Sequence, residues 1–172
     1  MNDAGAPETE ITPTDLGWQP NDQGLAYLVE RGRVEKVPPN AQHASHLLQE
    51  ARRHLLSAAT LSVTDDVSMA FVAAYDAARK SLSAILAVQG YRSRGGDGGH
   101  MVLLDAVRSQ FPQQRVVLQR FDWMRTVRNS CEYPDVNTPA VSTHDVADAE
   151  ESATAILELA VRFVSQYPHE ED

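Results

Sequence analysis

From Val67 to Val88 the residues Val67, Ala70, Phe71, Ala74, Ala78, Leu82, Ile85 and Leu86 recur mostly at steps of three and four, the repeat that lines up one face of an α-helix. In a strand the same residues would be scattered over both faces. An apolar stripe of this length must be covered by other stripes. The spacing predicts a helix from Asp65 or Asp66 to Val88, with Thr64 or Asp65 as N-cap and Gly90 as the stop.

Covering stripes occur on both sides. Ala41 to Ala59 places Leu47, Leu48, Ala51, Leu55 and Ala58 on one face behind an Asn40 N-cap, and Gly99 to Phe111 buries Met101, Leu104, Val107 and Phe111 before Pro112. Gln114 to Tyr133 carries Val117, Phe121, Met124, Arg128 and Cys131 in line. A last helix, capped by Ser142 or Thr143, runs to Gln166 with Val146, Ala149, Ala153, Ile156, Leu157, Ala160 and Val164. No alternating strand pattern is visible. The chain is therefore expected to be all-α, an up-and-down antiparallel bundle of four to five helices.

The organisation expected is a mobile tail over residues 1–21 with Trp18 as an anchor, then a short helix and a Pro-rich connection over 22–39. The bundle follows over 40–167, with an acidic tail over 168–172. No apolar run approaches the roughly 20 residues that span a bilayer, and the first residues are acidic where a signal peptide is basic, so a cytoplasmic location without membrane attachment is expected. The single cysteine, Cys131, excludes an internal disulfide.

The net charge of −9 argues against a protein that coats nucleic acid through bulk electrostatics. Its distribution is uneven. Between Tyr91 and Arg128 stand seven arginines (Arg92, Arg94, Arg108, Arg115, Arg120, Arg125, Arg128) against Asp97, Asp105 and Asp122, a local excess of +4. This is either a solvated helix face or a local anion site on an acidic body.

Arg128 is the polar interruption of an otherwise apolar stripe. A guanidinium with five donors and no neutral form near pH 7 needs a carboxylate, a carbonyl, water or an anionic ligand. Asn129 adds an amide and Tyr133 a phenol about one turn further on. Asp76, on the second long helix, either pairs locally with Arg79 or reaches across the bundle to hold Arg128. The stretch Gln89 to His100 holds five glycines in twelve residues and delivers His100 into the first turn of the next helix. It lacks the strand and the Gly-Lys-Ser/Thr of a nucleotide fingerprint, so it is either a plain surface connection or, with Arg92, Arg94 and His100, a phosphate site. His43, His46 and His54 do not make a metal set, and neither a metal nor a cofactor is implied.

Four long helices with Arg128-Asn129 near the end of the penultimate one, the segment AYDAARKSLSAIL and the loop GYRSRGGDGGH resemble the HEPN superfamily, and more narrowly its actinobacterial branch of small stand-alone proteins. The resemblance covers residues 40–167. It implies a homodimer in which two Arg-polar-x-x-x-His motifs meet in a shared cleft and cleave RNA without metal, in toxin–antitoxin or defence settings. Arg128 matches the arginine and Asn129 the polar residue. Tyr133 stands where the histidine belongs, and a phenol ordinarily titrates about three units above an imidazole, so Tyr133 is a poor proton shuttle. His100 could substitute if its loop folds over Arg128.

Three readings follow: a dimeric ribonuclease using Arg128, Asn129 and Tyr133 or His100; a catalytically silent module that binds RNA, a nucleotide or a partner such as a nucleotidyltransferase or antitoxin; and a purely structural arginine. Arg92, Arg94, Arg125 and Asp76 are the candidate binding residues.

Overall fold

The computed structural model describes residues 12–20, 22–95, 99–133, 137 and 139–168. The expected tails before residue 12 and after 168, residues 96–98 of the glycine-rich stretch, and most of the loop after Tyr133 lie outside the described residues. Six α-helices form in order: α1 (Gln23–Glu30), α2 (Ala41–Leu61), α3 (Val67–Val88), α4 (Gly99–Gln110), α5 (Arg115–Glu132) and α6 (Thr143–Gln166). The all-α expectation holds. Among the described residues no helix is long and apolar enough to cross a membrane.

The centre is α3, which packs against α2, α4, α5 and α6. Its stripe is supplemented by Ala73, Ala77, Ala84 and Ala87, so the helix is buried over most of its circumference. Small side chains let neighbouring helices approach closely, and the bulky residues fill what remains. Phe71, Phe111, Phe121 and Phe163 are fully buried, each contributing about 2–3 kcal/mol relative to exposure. Where helices begin, a side chain takes up a free N–H: Asn40 Oδ1 accepts from His43 N at 2.7 Å, and Ser142 and Asp145 form a reciprocal capping box. The cap of α3 is Asp66, which accepts from Met69 N at 3.2 Å, one residue later than the spacing suggests.

Two features depart from the sequence reading. A two-stranded antiparallel ladder joins β1 (Val34–Lys36) to β2 (Tyr91–Ser93), with Val34 opposite Ser93, Glu35 opposite Arg92 and Lys36 opposite Tyr91. Strands of three residues are too short to display alternation, so this clasp was invisible to the pattern. It is extended by Val37 N donating to Gly90 O at 2.9 Å and Arg94 N donating to Arg33 O at 2.9 Å. Gly90 sits at φ +81°, and a Cβ there would meet the Val37 carbonyl oxygen at 2.6 Å, so this turn requires glycine.

The second departure is at the N-terminus, where residues 12–20 pack onto the bundle. Pro13–Leu16 form a 3-10 turn with Leu16 buried. Trp18 Nε1 donates to Gln110 Oε1 at 3.0 Å, and its ring meets Phe163 and Tyr167 edge-on at 5.5 and 5.6 Å.

Candidate functional site

Tyr75, Asp76 and Arg79 lie within little more than one turn of α3, and Tyr75 is fully buried. Its ring stacks on Phe121 of α5, centroids 5.1 Å apart and planes at 18°. Its hydroxyl is 2.6 Å from Nδ1 of His100, in the first turn of α4. The Arg128 guanidinium, also on α5, stands over the same ring at 5.8 Å. One side chain thus links α3, α4 and α5.

Burial pushes the Tyr75 phenol up to about 12, so it keeps its proton at neutral pH. At this distance the hydroxyl either donates to a bare Nδ1, leaving the imidazole hydrogen on Nε2, or accepts from Nδ1–H. Burial, and then the charges of Arg79 and Arg128, hold the His100 pKa below its ordinary 6.5. In either arrangement Tyr75 orients a neutral His100. With its hydrogen on Nε2 the ring is a donor suited to an anion, whereas a general base needs Nε2 free of its hydrogen.

A cavity of about 620 Å³ opens between the start of α2, the later turns of α3, β2 and the start of α4. His43, Arg79, Arg92, Arg94 and His100 line it together with Pro38, Leu47, Leu86 and Leu103. Among the described residues no carboxylate lines it. Arg79 Nε donates to Asp76 Oδ1 at 2.9 Å, and Arg92 Nη2 to Glu35 Oε2 at 2.8 Å. Arg94 is exposed and forms no ion pair among the described residues. The arrangement offers several cationic donors beside an apolar surface, as a ligand with an anionic end and a flat apolar end would require.

The sequence candidates divide accordingly. Arg92, Arg94 and His100 are brought together on the cavity wall. Arg128 stands over the Tyr75 ring that bonds His100, and its ion-pair partner is Glu132, one turn further along α5. That corrects the alternative in which Asp76 holds Arg128, since Asp76 takes the local pair with Arg79. A pair on one helix needs no tertiary alignment of two long side chains. Arg125 is occupied by Asp122 through Nε at 3.2 Å and Nη2 at 3.0 Å. Asn129 is exposed, and Tyr133 is the C-cap of α5, 78% exposed.

The sequence reading did not assign Arg79, His43 or Tyr75 to a site. The one available signal was the four-residue step from Tyr75 to Arg79, which puts both on one face of α3. Among the described residues no three His, Cys, Asp or Glu side chains are placed to hold a metal ion.

Comparison with known proteins gives one positive result: the family model described as HEPN domain matches residues 44–166. Searches of curated proteins and of solved structures return no significant match. The matched span runs from the first turn of α2 to the end of α6 and includes Tyr75, His100 and Arg128, so the chain belongs to the HEPN family.

Proposed function

We propose that this HEPN chain is a binding module for a nucleotide or another phosphate-bearing ligand of that shape, held in the cavity between α2, α3, β2 and α4. The observation that carries the reading is that Arg79, Arg92, Arg94 and His100 line one cavity with no carboxylate among the described residues of its wall. Arg94, which forms no ion pair among the described residues, takes phosphate oxygens at least cost, while Arg92 must exchange Glu35 for the ligand. His100, with its hydrogen on Nε2, donates to the ligand while Tyr75 occupies Nδ1. The apolar lining of Leu47, Leu86 and Leu103 accepts a base. A volume of about 620 Å³ lies in the range of small-molecule sites.

Metal-independent RNA cleavage in a homodimer cleft, in a toxin–antitoxin or defence setting, is the second reading. It is favoured by one observation: Arg128 Nε is buried without a hydrogen-bond partner among the described residues, so the guanidinium retains a donor for a phosphate. Against it stands Tyr133, an exposed phenol where the motif has its histidine. Incubating the chain with mixed RNA in excess chelator separates the two readings. The binding module leaves RNA intact while retaining labelled nucleotide. Products ending in 2′,3′-cyclic phosphate, lost in Arg128→Ala, would establish the nuclease instead.

A further inference from the structure

A second cavity, of about 460 Å³, lies across β2 from the first, where the packed N-terminal segment meets α1, β1 and the end of α6. Its wall includes three aromatic side chains, Trp18, Tyr91 and Tyr167, and two carboxylates, Asp22 and Glu30. Trp18 and Tyr167 stand edge to face, 5.6 Å between centroids and 72° between planes, so the two rings meet at a steep angle on the cavity wall. Tyr91 lies close enough to contribute to raising the Tyr167 pKa. The Trp18 ring is held by its bond to Gln110 and its contact with Phe163, and the β1–β2 ladder fixes the backbone that carries Tyr91.

From this geometry we propose that the second cavity is an aromatic cage for a small methylated ammonium ion of the choline type. Ring faces carry negative potential and attract a cation, but they offer no acceptors for N–H groups. They therefore suit a quaternary nitrogen, which has none to satisfy and is weakly hydrated. The carboxylates of Asp22 and Glu30 add long-range attraction. Asp22 is fixed by accepting from Leu25 N at 2.8 Å, and Glu30 is exposed at the end of α1. Lys36 also lines the cavity and opposes the ion, leaving one net negative charge on the wall. Among the described residues the cation–ring contacts are Arg31–Tyr27, Arg120–Trp123 and Arg128–Tyr75, so the three rings of the cage hold no cation of the chain itself. The site is separate from the phosphate cavity in chemistry and in occupant, sharing only Tyr91 with it.

The test is calorimetric titration of the full chain with choline and with the uncharged alcohol in which carbon replaces the quaternary nitrogen. The proposal predicts one saturable site for choline and affinity about tenfold lower for the carbon isostere, since the shape is kept and the charge removed. Glu30→Gln weakens choline binding and Lys36→Gln strengthens it, opposite shifts that a loss of folding would not produce. Absence of saturable binding at tens of millimolar choline, equal binding of the isostere, or indifference to both substitutions overturns the proposal.

Discussion

Replacing Tyr75 by Phe removes a single oxygen from the middle of the site and leaves everything else in place. The ring keeps its stack on Phe121 at 5.1 Å and its place beneath Arg128 at 5.8 Å. What is lost is the 2.6 Å hydrogen bond to His100 Nδ1. A buried hydrogen bond contributes about 1 kcal/mol net, and a stranded ring nitrogen adds a penalty. His100 is only half-buried, so water limits that penalty and the total should be about 1–1.5 kcal/mol. At roughly 2–4 °C per kcal/mol for a chain of this size, the midpoint of thermal unfolding falls by about 4 °C. A hydroxyl that donates to Nδ1 also favours the neutral imidazole, so its removal shifts His100 titration upward, a change readable by NMR. A double-mutant cycle with His100→Ala isolates the pair and should give a coupling of about 1 kcal/mol. If Tyr75→Phe is as stable as wild type, His100 titrates unchanged and the two substitutions add, Tyr75 does not orient His100 and the donor argument fails.

The other consequences of the fold are equally direct. Gly90→Ala places a methyl against the Val37 carbonyl at φ +81°; the strain should lower stability by about 1–2 kcal/mol or more, and denaturant titration would show no change if the β1–β2 clasp were dispensable. Ser142→Ala breaks the capping box of α6 and should cost about 1 kcal/mol, with no loss of nucleotide binding in a ligand titration. Acidification should weaken the fold through His54 and His100. Burial, with neighbouring basic charges, holds both pKa values below 6.5, so the unfolded chain takes up protons first as pH falls through 6.5. Stability then rises with pH across that window and is fully present above it. Glu150, pushed up by burial from 4.5, acts in the opposite sense nearer its own range. A urea midpoint that increases between about pH 7 and about pH 5.5 would contradict the histidine argument.

The helices were legible because their stripes are long: α3 alone supplies eight periodic apolar residues, and Asn40 and Ser142 mark where neighbouring helices begin. The site was legible only in part. Arg92, Arg94 and His100 were recognisable as phosphate-binding side chains on a glycine-rich connection, yet the β1–β2 ladder that positions the two arginines consists of three-residue strands. Arg79 was read as half of a surface ion pair, and it does pair with Asp76; its place on the cavity wall depends on α4 and β2, which no local spacing encodes. The Tyr75–His100 contact joins residues 25 apart in the chain. Arg128 drew attention by falling in line with a core stripe, and the structure assigns it a partner, Glu132, that lay four residues away in the sequence.

Phosphate binding in the first cavity, whose wall carries no carboxylate among the described residues, is the central expectation. It is tested most directly by calorimetric titration of the full chain with a nucleoside and its mono-, di- and triphosphates, in wild type and in Arg94→Ala. Because Arg94 is exposed and forms no ion pair among the described residues, its removal should leave stability within about 0.5 kcal/mol of wild type. The account predicts saturable binding that tightens with phosphate number, weakens with added salt, and falls about tenfold in Arg94→Ala. Affinity independent of phosphate number, or unchanged without Arg94, would contradict it.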